Sequence, residues 1–133
     1  MTDEQIENEE GIVRGFILPQ RQSRYLEFIK TPRRRGGFLK ELAHFKHLDP
    51  LCAKRITPDH QNPGDIAKLL RAKGAPEDCW VISERADIDG RKMKLDDVLK
   101  EIVGNQMGTF VSCKPAKLGY FEDEDCRFIL ENK

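Results

Sequence analysis

The sequence predicts an α+β fold: one domain, a small antiparallel or mixed sheet, and about three to four helices covering one side of it. Three observations carry this. Apolar stripes of helical period recur at 38–48, 63–74 and 95–103. Apolar runs at 79–83, 109–113, 118–121 and 126–130 read as strands. The helical patterns come mostly first and a meander closes the chain. At 133 residues the chain suits a single domain with a core of its own.

Taken in order, residues 1–10 hold five acids, no bases and a lone Ile6, which predicts an acidic mobile tail ahead of a domain at 11–133. Segment 11–18, with Ile12, Val13, Phe16, Ile17 and Leu18, reads as a strand ended by Pro19. Residues 20–30 fit helix and strand about equally, and Thr31-Pro32 ends them in either case. From Phe38 to Leu48 the apolar positions 38, 39, 42, 45 and 48 share one helical face, with Lys40, His44 and His47 opposite. Residues 51–62 read as irregular. Asn62-Pro63-Gly64-Asp65 is a helix start, with Asn62 as cap and Pro63 at the first position. Gly74 is its stop. Asp89-Gly90 is a tight turn, and Leu95, Val98, Leu99, Ile102 and Val103 mark a helix closed by Gly104.

Charge gives the first functional signal. The formal net charge is zero, which argues against gross polyelectrolyte behaviour. Yet residues 11–60 hold eleven Lys/Arg against four Asp/Glu. The centre of that excess is Lys30-Thr31-Pro32-Arg33-Arg34-Arg35-Gly36-Gly37, read as a basic loop leading into the helix at Phe38. Glycines at a helix entrance let backbone amides approach a ligand, and the helix dipole favours anions there. Arg33, Arg34, Arg35, Gly36, Gly37 and Lys40 are therefore the candidate site for a nucleic acid or a phosphorylated ligand. Phosphate contacts of this kind position a polyanion without reading its sequence. No Gly-Lys-Ser/Thr follows the glycines, so this is not a P-loop. Tyr25, Phe38 and Phe45 read as core residues, which leaves no stacking platform.

Four weaker candidates compete. His44, His47, Cys52 and His60 are chemically a zinc ligand set, but their spacing matches no familiar site. The acidic run 122–125 offers a surface for a basic protein partner, or a turn that docks on the arginines from within. Asp87-Ile88-Asp89-Gly90 opens like a calcium loop, but position twelve is Val98 rather than glutamate. Cys113, beside Lys114 at a strand end, is the best candidate for a reactive thiol, with no base assigned to it. Four well-separated cysteines, no signal-peptide pattern and no long apolar run predict a soluble, cytoplasmic protein without a disulfide framework, a membrane partner or a cofactor. The sequence points to binding rather than catalysis.

Overall fold

Thr2 caps the first helix by accepting the amide of Gln5 at 3.1 Å, in a computed structural model that describes residues 2–57 and 61–132. Helix α1 is Asp3–Phe16. Asp3 and Glu4 lie in its first turn, where the helix dipole favours acids. Ile12, Val13 and Phe16 are fully buried on one helical face. The expected acidic tail at 1–10 is therefore helical from Asp3 onward, and the expected strand at 11–18 is, up to Phe16, the second half of the same helix, with Ile17 extended beyond it. The acidic run serves the helix N-terminus, and the apolar spacing 12, 13, 16 satisfies a 3.6 period better than a 2.0 period. Gly11 and Gly15 let α1 lie directly on a turn of backbone. A Cβ there would stand 2.7 Å from the nitrogen and 2.6 Å from the oxygen of Ala116, respectively.

A 3-10 turn, Pro19–Arg21, leads into α2, Gln22–Lys30, which settles residues 20–30 as helix. Thr31 alone separates it from α3, Pro32–Glu41. Thr31 is extended, as a residue before proline must be, and Pro32 takes the first helical position. Helix α3 thus begins six residues earlier than its apolar pattern suggests. It also ends earlier, giving way to the 3-10 turn Leu42–His44. Beyond it Phe45 is extended and packs edge-on against Tyr25 and Phe110, with centroids 5.5 and 5.7 Å apart.

Strand β1, Ala53–Arg55, lies in the stretch expected to be irregular. Helix α4, Pro63–Ala72, starts where expected, with the Asn62 side chain accepting the Asp65 amide at 2.8 Å. Then come β2 (Asp78–Ser83), β3 (Lys92–Lys94), α5 (Leu95–Ile102), β4 (Thr109–Lys114), β5 (Leu118–Glu122) and β6 (Arg127–Glu131). The six strands form one wholly antiparallel sheet in the order β1-β6-β5-β4-β2-β3.

The α+β class and the antiparallel sheet are as the sequence predicts. The helices, however, cover both faces of the sheet rather than one. Val81, Val111, Tyr120 and Ile129 face α4 and α5, while their neighbours Ile82, Phe110, Phe121 and Leu130 face α1, α2 and α3. Successive strand residues point to opposite faces, so strands apolar at both parities need a layer on each side. Among the described residues, no helix is long and apolar enough to cross a membrane.

Candidate anion-binding face

Because α3 starts at Pro32, the arginines and glycines are helical rather than part of a loop. The proposed approach of ligand to the amides of Gly37 and Phe38 at a helix entrance is thereby removed, since those amides lie inside α3. Successive helical residues turn roughly 100° from one another, so the three arginines point in three directions. The structure treats them accordingly.

Arg35 turns inward. Its Nη1 and Nη2 donate to the two Glu9 carboxylate oxygens at 2.5 and 2.8 Å. Its Nε and Nη2 donate to the two Asp89 oxygens, both at 2.9 Å. The Arg35 side chain is only 14% exposed, and Glu9 only 2%. Burial works against the guanidinium charge, but the bonds from Asp89 and Glu9 outweigh it and raise the Arg35 pKa above its ordinary value. Asp89 belongs to the turn at 87–90 and also accepts the Ser83 amide at 3.0 Å. Arg35 is therefore a clasp joining α1, α3 and the β2–β3 connection, and it is not available to an external anion.

Arg34 lies on the flank of α3, in an exposed pair with Glu27 of α2 at 3.4 Å. Such a pair contributes little and competes weakly with a ligand. Arg33 and Lys40 turn outward and, among the described residues, have no carboxylate partner. Gly36 and Gly37 lie between them on the same outward face, opposite the fully buried Phe38 and Leu42. Among the described residues, nothing beyond the backbone of α3 itself lies within 4 Å of where a Cβ would sit on either glycine. The outward face of α3 is thus a smooth patch of backbone with a cation one turn before it and another one turn after it. Arg33 and Lys40 stand about 10 Å apart along the helix axis.

Helix α2 and the 3-10 turn before it extend this positive surface through Lys30, already part of the basic stretch, and through Arg21 and Arg24, which the sequence pattern did not single out. Arg21, Arg24 and Lys30 are exposed. The Arg24 guanidinium lies over the Phe28 ring, 5.1 Å from its centroid. From residue 21 to residue 40 there are seven Lys/Arg against the single acid Glu27, and six of the seven are exposed. The i, i+3 spacing of Arg21 and Arg24 is the signal that would have found them once α2 was known to be helical.

The metal candidates among the described residues do not converge. His44 faces the acidic turn, with Nε2 2.9 Å from Glu124 and Nδ1 3.5 Å from Asp125. His47 lies beside the Tyr25 and Phe45 rings. The buried Cys52 thiol donates to the Gly15 carbonyl at 3.2 Å, and burial, then Asp49, raises its pKa. His60 lies outside the described residues. Among the described residues no group of three His, Cys, Asp or Glu side chains is placed to hold a metal ion.

Cys113 is buried with its sulfur 3.7 Å from that of Cys79. That hydrogen bond, then burial, holds its pKa well above the ordinary thiol value, the reverse of what a nucleophile needs. Half of the acidic run is likewise occupied within the fold. Glu122 is fully buried and accepts from the amides of Gly104 and Gln106 at 3.1 and 2.9 Å and from the Tyr120 hydroxyl at 2.8 Å. Its ion-pair partner is Arg127, at 3.4 Å, rather than any arginine of α3. Asp123 accepts from the amides of Asp125 and Cys126 and so builds the turn. Only Glu124 and Asp125 point outward.

No protein-family model, curated protein or solved structure matches the chain.

Proposed function

We propose that this protein binds polyanions through the positive outer surface of the α2–α3 helical hairpin, with Arg33, Arg34 and Lys40 at its centre. The observation that supports this most directly is the outward stripe Arg33, Gly36, Gly37, Lys40. Adjacent glycines inside a helix cost roughly 1 kcal/mol each relative to alanine. Nothing in the fold requires them, because a Cβ at either position meets open space. A backbone patch left bare between two cations suits close approach by an external group, and cations on a convex surface suit phosphate or sulfate oxygens. Arg35 supports this face indirectly by anchoring α3 to Glu9 and Asp89.

The test is retention on immobilised heparin, a generic sulfated polyanion. The chain has a formal net charge of zero, so retention reports a local surface rather than bulk charge. The wild-type chain is retained at low salt and eluted by raising it, while Arg33→Ala/Arg34→Ala/Lys40→Ala passes through. Passage of the wild-type chain at low salt overturns the proposal.

A further inference from the structure

We infer, resting on that reading, that the polyanion is a double-stranded nucleic acid, gripped through its sugar–phosphate backbone, with Gly36 and Gly37 as the point of closest approach. Three features of the face select this ligand class. First, the middle of the face is open. Among the described residues, nothing beyond the backbone of α3 itself lies within 4 Å of a Cβ built on Gly36 or Gly37. Small phosphorylated ligands are bound in concave sites that bury most of their surface, and this stripe gives them no walls. An extended polymer needs none.

Second, the face has no stacking platform. Single strands are held largely by bases stacked on aromatic rings. Among the described residues the exposed large apolar side chains are Ile6, Leu51 and Met107, none of them aromatic. Tyr25 and Phe38 are fully buried beneath the hairpin, and Phe28 lies under Arg24. A surface of cations alone favours the ligand with the higher charge density, and a duplex carries twice the charge per length of a single strand.

Third, the cations are spread along α3 rather than focused on a point. Arg33 and Lys40 bracket about 10 Å of helix. Removing both Cβ atoms between them thins the helix where it would seat against a groove, whose wider form accepts an α-helix. The two glycines also carry no side chain that reads a base edge, so the contact is of the positioning kind.

The experiment is fluorescence anisotropy of the full chain with one labelled duplex of arbitrary sequence, as DNA and as RNA, and with each component strand, over a salt series. The duplex binds at least fivefold more tightly than either strand. Its affinity falls with salt at a log–log slope of roughly −3, for contacts from Arg33, Arg34 and Lys40. Arg33→Ala and Lys40→Ala each lower the slope by about one. Gly36→Leu/Gly37→Leu weakens duplex binding tenfold or more while leaving the thermal unfolding midpoint unchanged or higher. Equal or tighter binding of the single strands, or full duplex affinity in the leucine variant, overturns the inference and leaves the heparin result standing. Heparin retention without duplex binding at low salt also overturns it. Loss of both removes the underlying reading as well.

Discussion

Arg35 and Glu9, 26 residues apart in the chain, meet as a two-pronged ion pair with nitrogen–oxygen distances of 2.5 and 2.8 Å. The same guanidinium holds Asp89, 54 residues away in the other direction. One side chain thus ties the first helix, the third helix and the β2–β3 connection together, at a depth where water screens little. Its neighbours Arg33 and Arg34 remain exposed.

This division predicts opposite outcomes for adjacent arginines. Arg35→Ala leaves the buried Glu9 and the partly buried Asp89 without their cation and lowers stability by about 3–5 kcal/mol. Arg35→Lys fails to restore it, because an ammonium cannot make two bidentate contacts. Arg33→Ala changes stability by no more than about 0.5 kcal/mol. Urea unfolding of the three variants checks this, and a large loss in Arg33→Ala or none in Arg35→Ala contradicts the clasp.

Gly36→Ala and Gly37→Ala should each stabilise the chain by about 1 kcal/mol. Neither glycine takes a positive φ, and both have open space for a methyl group. Urea midpoints measure the gain. A loss in either variant would mean that the glycines serve the fold itself rather than the outer face of α3.

Alkali should unfold the protein as its tyrosines ionise. Burial, then Glu41, pushes Tyr25 from its ordinary 10.0 up to about 12. Burial and Glu122 raise Tyr120 as well. A pKa raised in the folded state means that the native chain keeps protons the unfolded chain releases. The contribution is therefore intact below about pH 10 and is lost as pH rises toward about 12. Cys126, pushed from 9.0 to about 12 by burial and Asp123, acts in the same direction. Tyrosinate absorbance should appear together with loss of circular dichroism. Tyrosinate signal from a chain that is still folded would count against the burial of both rings.

Glu122 and its acidic neighbours should also separate. Glu122→Gln weakens a carboxylate that accepts two backbone amides and a buried hydroxyl, at a cost of about 3 kcal/mol. Glu124→Gln and Asp125→Asn, on exposed side chains, shift stability by no more than about 0.5 kcal/mol. Thermal unfolding of the three variants is sufficient. Equal effects would return the whole run to the surface.

The C-terminal half of the fold was legible because its signals are local. Asn62 and Pro63 spell a helix start, Leu95, Val98, Leu99 and Ile102 spell a stripe, and the runs at β2, β4, β5 and β6 spell strands. Strands β1 and β3 were not legible, since three residues carry no pattern and exist as strands only by pairing with β6 and β2. The N-terminal acids concealed a helix because an acidic run reads as solvated until its partner is known, and the partner of Glu9 is far away in sequence.

For the candidate site, the residue types alone announced a concentration of positive charge within residues 11–60, centred on 30–37, and that much was determined by the sequence. Which of those charges faces outward was decided only by tertiary structure. Helical geometry turns Arg33, Arg34 and Arg35 roughly 100° apart in succession. The packing of α3 against α1 and the 87–90 turn then gave carboxylates to one of them and left another open to solvent.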